Sequence, residues 1–166
     1  MFFDLVLDFL KNPVMIVPIF AWMIAQVLKV IIKLLVDHEF SFERLFGDGG
    51  MPSGHSATVT SLMIMCGWCC GFGSVNFAIS AILAVVVMHD ATGVRRETGK
   101  QATSIKQIAD IINGMFLEKD EALRSEKLKE FVGHTPVQVF FGSLLGIIVA
   151  ICAILISGLG YMSVVV

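Results

Sequence analysis

A chain of 166 residues that is 56% hydrophobic and 16% charged, with a mean hydropathy of +0.83, is too apolar for a soluble domain of this size. A formal charge of -2 with no basic tail argues against a nucleic-acid partner, and the cysteines, all inside apolar stretches, lack the polar loop and second ligand pair of a zinc site. The composition predicts an integral membrane protein, read as a single domain over residues 1–166: an all-α polytopic bundle of about four transmembrane helices with amphipathic helices at its surface.

Residues 1–12 place Leu5, Val6, Phe9 and Leu10 at helical spacing, without the basic leader or cleavage site of a signal peptide. This predicts a short helix lying on the membrane, with nothing removed. Residues 13–36 form the first span, longer than the roughly 20 apolar residues a bilayer needs. Gln26, Lys29 and Lys33 share one face of it. Lys33 suits headgroups by snorkelling, whereas Lys29 sits deeper, where a charge is unfavourable unless something pairs with it.

The loop over residues 37–54 carries Asp37, Glu39, Glu43 and Arg44, then Gly47-Asp48-Gly49-Gly50, and leads into Met51-Pro52-Ser53-Gly54-His55-Ser56 at the mouth of the second apolar run, 55–72. A helix start leaves backbone N–H groups unused and presents the positive end of the macrodipole, so Ser53 and the Gly54 amide are candidate phosphate ligands. A cap alone explains Pro and Ser, but not a glycine followed by a titratable histidine at the membrane edge. The third run, 75–88, follows a turn so tight at Gly71 and Gly73 that a re-entrant pair is the alternative to two full spans. Asp90 lies about a turn inside its end and is expected to orient an arginine or a histidine; His89 has no assigned role. Arg95 and Arg96 follow. Their planar guanidinium forks suit phosphate, although basic residues at this position also set topology.

Residues 93–135 are read as a cytoplasmic segment with amphipathic helices. Ile105, Ile108, Ile112, Met115 and Phe116 share a helical face that would lie on the surface, with Asn113-Gly114 as its fraying point, and a second helix runs from an Asp120 cap to a Gly133 stop. His134-Thr135-Pro136 repeats the helix-start pattern, with Thr as N-cap and Pro at the first helical position. His134 stands just outside that cap, where an imidazole can attack phosphorus and form a phosphohistidine. In the last span, 137–158, Gly142 and Gly146 have the spacing that lets helices approach closely.

With four crossings, the loop 37–54 and the segment 93–135 share one side, which holds Arg44, Arg95, Arg96, Lys100, Lys106, Lys119, Arg124, Lys127 and Lys129; the other side holds Lys11. The basic side is expected to be cytoplasmic. The histidine clusters and arginines fall on that side together, which points to one anion site at the membrane boundary.

Pro52-Ser53-Gly54-His55 resembles the second signature of the type 2 phosphatidic acid phosphatase superfamily, which includes the vanadium-dependent haloperoxidases. The longer pattern of Gln26-x-x-Lys29, Gly49-Gly50-Met51-Pro52-Ser53-Gly54-His55-Ser56-Ala57, Asp90 to Arg96, Gly99-Lys100-Gln101-Ala102 and His134-Thr135-Pro136 is similar to its divergent bacterial and plant branch. The resemblance implies His134 as nucleophile, His55 as general acid, and Lys29, Arg44, Ser53, Gly54 and one or both of Arg95 and Arg96 as phosphate ligands. This chain departs from the superfamily in having no Lys-x6-Arg-Pro string and no Ser-Arg-x5-His-x3-Asp string; Gln138 stands four residues after His134 where a carboxylate is expected. A neutral amide orients an imidazole but stabilises its protonated form less than Asp does.

The sequence therefore predicts a membrane phosphatase, in a bacterial cell membrane or its organellar equivalent, that hydrolyses a lipid phosphate or pyrophosphate headgroup with no metal or other cofactor. The lipid substrate and the bilayer are its expected partners. Two rival readings use the same residues differently: headgroup binding or transport without hydrolysis, or a membrane scaffold that recruits a partner through residues 105–116 and 120–132.

Overall fold

The computed structural model describes residues 2–37, 50–116 and 135–158. These form α1 (Phe2–Lys11), α2 (Pro13–Asp37), α3 (Gly54–Cys70), α4 (Val75–Thr92), α5 (Val94–Phe116) and α6 (Pro136–Ser157), with no strand among the described residues. The protein is an all-α membrane helix bundle. Among the described residues, three stretches are long and apolar enough to cross a bilayer: Pro13–Val36, Val75–Ile112 and Pro136–Ser157.

Local chemistry sets each boundary. Asn12 separates α1 from α2 by accepting the Val14 N–H on its side-chain oxygen at 3.0 Å, with Pro13 in the first helical position where its missing N–H costs nothing. Ser53 caps α3 and Ser74 caps α4, the latter accepting the Phe77 N–H at 3.1 Å. Between them, Gly71 takes a φ of 94°, a left-handed conformation that lets the chain reverse within a few residues. Thr135 and Gln138 cap α6 reciprocally, and Gly158 closes it in the αL conformation.

The expected surface helix begins earlier than the apolar stripe suggests. α5 runs unbroken from Val94 through Asn113-Gly114 to Phe116, and only the break at Gly93 separates it from α4. Its Ile105, Ile108, Ile111 and Ile112 are exposed, and α4 is the only described element it touches.

α3 lies at the centre, packed against α2, α4 and α6. Val17 meets Met65 and Cys69 near the far end of α3, while Ala21 and Ala25 meet Ala57 nearer its start, so α2 runs antiparallel to α3. α6 runs parallel to α3, because Gly142 abuts Ser53, Gly146 abuts Ala57, and Ala150 joins the Met65 and Cys69 cluster. The two helix N-termini therefore point the same way. At 17 residues α3 is about 25 Å long, shorter than a bilayer core of about 30 Å. The outer faces of α2, α4 and α6 expose Ile24, Ile31, Ile82, Val86, Phe140 and Ile148, as lipid contact requires.

Small residues make the central packing possible. A Cβ on Gly142 would come within 3.0 Å of the Cβ atoms of Ser53 and Ser56 and collide with the Ser53 carbonyl; one on Gly146 would come within 3.1 Å of the Ala57 backbone. Backbone atoms cannot swing aside. Gly146→Ala is therefore expected to destabilise the protein by about 1–3 kcal/mol despite the better helix propensity of alanine. Gly73→Ala, with nothing within 4 Å, should stay within about 0.5 kcal/mol of the parent. Thermal unfolding of both variants in detergent checks the pair.

Candidate functional site

The starts of α3 and α6 are joined by a backbone hydrogen bond, Ser53 N–H to the Gln138 carbonyl, at 3.0 Å. Ser53 is fully buried, and its Oγ accepts from the Ser56 N–H at 3.3 Å and from the Ser56 hydroxyl at 3.1 Å. Its own hydroxyl proton remains as a donor. The Ala57 N–H is used by the Ser53 carbonyl. The N–H groups of Gly54 and His55, in the first turn of α3, have no carbonyl of that helix four residues back to bond.

α2 brings a cation to the same place. Lys29 is 5% exposed, and its Nζ lies 3.8 Å from the point where a side chain on Gly54 would begin. A larger residue at position 54 would press on the Trp22 ring, whose Cδ1 is 3.2 Å from that point, and crowd the ammonium. The glycine leaves room for this close approach. Lys29 stands seven residues before Val36, so the cradle lies about 10 Å inside the end of the first span. A buried ammonium and the N-terminal ends of two helices are all of positive sign, so the electrostatics of this place favour negative charge.

The third cluster approaches from α4. Ser143, next to the Gly142 that abuts Ser53, donates to Met88 Sδ at 3.2 Å, so α4 ends beside the starts of α3 and α6. Asp90 is partly buried and His89 exposed at that end. Arg95 and Arg96 belong to the first turn of α5 by their backbone; their side chains, and the whole of Arg44 and His134, lie outside the described residues. Lys29, Ser53, Gly54 and His55 are brought together, with Gln138 adjoining them.

Gln138 has a structural task of its own. Its Oε1 accepts the Thr135 N–H at 3.0 Å, and its N–H donates to Thr135 Oγ1 at 3.3 Å. This capping box accounts for an amide at that position independently of any role beside His134. Trp22 was not among the sequence-derived candidates. Its spacing of four residues before Gln26 places it on the Gln26 and Lys29 face, and that periodicity was the available signal.

A polytopic bundle of apolar helices, with two helix N-termini paired at one end, defines the class: an integral membrane protein of all-α architecture. Over residues 10–149 the chain matches the Divergent PAP2 family, and it belongs to that family. It is 41% identical over 151 residues to the Uncharacterized membrane protein YuiD of Bacillus subtilis (strain 168), an alignment covering 87% of this chain and 96% of the relative. No solved structure matches it.

The capping role of Gln138 separates from chemistry by substitution. Gln138→Glu keeps an acceptor at the third helical position and should hold stability within about 0.5 kcal/mol, whereas Gln138→Ala should lose about 1 kcal/mol. Thermal unfolding in detergent measures both.

Proposed function

We propose that this protein is a membrane phosphatase that removes phosphate from a lipid phosphate or pyrophosphate headgroup through a phosphohistidine, with its site at the cytoplasmic side. The observation that carries the reading is the approach of Lys29 Nζ to Gly54 at the start of α3, where Ser53 and His55 adjoin and the start of α6 is hydrogen-bonded to the same turn. Membership of the Divergent PAP2 family supports it. The excess of basic residues in the segments 37–54 and 93–135 supports the cytoplasmic side.

In this mechanism a ring nitrogen of His134 attacks phosphorus, forming a P–N bond as the P–O bond to the leaving group breaks, and protonated His55 gives its proton to the departing oxygen. Water then attacks phosphorus, His55 takes a proton from it, and the P–N bond breaks to release phosphate and restore His134. Lys29, Arg44, Gly54, Ser53 and the Arg95 and Arg96 pair hold the phosphoryl oxygens and balance the charge that grows in the transition state. Asp90 orients one of the arginines or histidines. The donors named are ammonium, guanidinium, hydroxyl and amide groups, which bind phosphate without a cofactor. An apolar anchor on the substrate explains why the cradle is recessed within the first span, and phosphatidic acid and polyprenyl phosphates are the favoured substrate types.

A second reading, headgroup binding without hydrolysis, is favoured by one observation. Gln138 is neutral and its oxygen is already committed to Thr135, so it lends less to a protonated His134 than a carboxylate would.

Phosphate release from a panel of lipid phosphates in vesicles distinguishes the two. His55→Ala and His134→Ala are each expected to lower release at least about a hundredfold, and an acid-labile phosphoenzyme should form in the parent and not in His134→Ala. Equal release by all three proteins would overturn the mechanism. Tight lipid binding with no release would favour the second reading.

A further inference from the structure

The face of α2 that supplies Lys29 carries two further groups that the phosphate chemistry does not use. The indole of Trp22 lies edge-on to Gly54, with Cδ1 at 3.2 Å and Nε1 at 3.6 Å from the point that Lys29 Nζ approaches at 3.8 Å. Yet Trp22 is 39% exposed, in the middle of an apolar span. The ring therefore reaches from the lipid-facing flank of α2 inward to the cradle. Gln26, between Trp22 and Lys29 on this face, is 6% exposed, and its Oε1 has no hydrogen-bond partner among the described residues.

A buried acceptor without a donor is unfavourable, and the penalty is removed when a bound molecule supplies the missing hydroxyl. An indole with one edge at a polar site and its body against hydrocarbon suits a molecule that is polar at one end and apolar at the other. We propose that Trp22 and Gln26 contact the part of the ligand next to its phosphate, Gln26 accepting from a hydroxyl and Trp22 packing on the hydrocarbon, so that the ligand enters sideways from the bilayer along α2. The inference rests on the reading of the Lys29 and Gly54 cradle as the phosphate site. It does not require hydrolysis. The ligand class is an amphipathic phosphate monoester whose phosphate seats about 10 Å below the end of the first span.

Binding in nanodiscs tests this directly, with lysophosphatidic acid, which keeps a free hydroxyl beside its phosphate, in phosphatidylcholine as one probe and inorganic phosphate as the other. The His134→Ala background keeps the lipid from being consumed, and Trp68→Phe leaves Trp22 as the sole indole. Saturable quenching or a shift of Trp22 emission is expected with lysophosphatidic acid. Trp22→Ala and Gln26→Leu should each weaken lysophosphatidic acid binding about tenfold while changing inorganic phosphate affinity less than about twofold, and Trp22→Phe should restore most of the Trp22→Ala loss. Unaltered lipid affinity in Trp22→Ala and Gln26→Leu would overturn the proposal, as would an equal loss for both probes, which would mark the residues as packing for the cradle. Lysophosphatidic acid binding in this pattern, with no phosphate released by the protein that retains His134, would refute the phosphatase reading and uphold this one. Failure of the parent to bind either probe would overturn both.

Discussion

The structure depends on the contact between the first turns of α3 and α6. The Ser53 N–H donates across it to the Gln138 carbonyl at 3.0 Å, and Gly142 and Gly146 give up their side chains so that the helices meet backbone to backbone. Lipid is no driving force for helix association, so close packing and interhelical hydrogen bonds must hold the bundle together. The same contact sets two helix N-termini side by side, pointing the same way. Packing and electrostatics therefore come from one arrangement: what brings the helices close also concentrates positive potential where Lys29 arrives.

Polar burial in the bundle follows from that focus. Gln26, Lys29, Ser53, Ser56, Thr60, Ser61 and Ser80 are buried, while much of the large apolar surface faces outward. Some of this polar burial is spent within helices, as where the Ser61 hydroxyl donates to the Ala57 carbonyl at 2.8 Å. Lys29 is different, since an ammonium inside a span is unfavourable unless the surroundings receive it. Because α3 is short, its N-terminus meets α2 part-way along the span, and the site is recessed below the membrane boundary.

Much of this was legible in the sequence. The apolar runs gave the long helices to within a few residues, and Ser53, Ser74 and Thr135-Pro136 sit where capping rules place helix starts. The Gly142 and Gly146 spacing named the helix face that packs, but not its partner, because a small-residue pattern says how close a neighbour comes and not which one it is. The burial of Lys29 followed from its depth, whereas its convergence on Gly54 required the antiparallel register of α2 on α3, which is a tertiary property. The length of α5 was underestimated because its first half lacks an apolar stripe, and continuity from α4 carries the helix through it. Trp22 was missed because an aromatic residue in a span reads as lipid contact. Arg44, His134 and the helix expected at 120–132 lie outside the described residues.

Membership of the Divergent PAP2 family and the cradle geometry support the proposed phosphate chemistry, and the capping role of Gln138 shows how one departure from the superfamily pattern arises from local helix structure. The most direct measurement is phosphorus–nitrogen dipolar recoupling by solid-state NMR on protein in lipid, with inorganic phosphate bound and nitrogen labels on the Gly54 amide and Lys29 Nζ. The account predicts that one bound phosphorus couples to both nitrogens at separations of about 3–4 Å, the reach of a hydrogen bond to a phosphate oxygen. Bound phosphate that couples to neither nitrogen would contradict it.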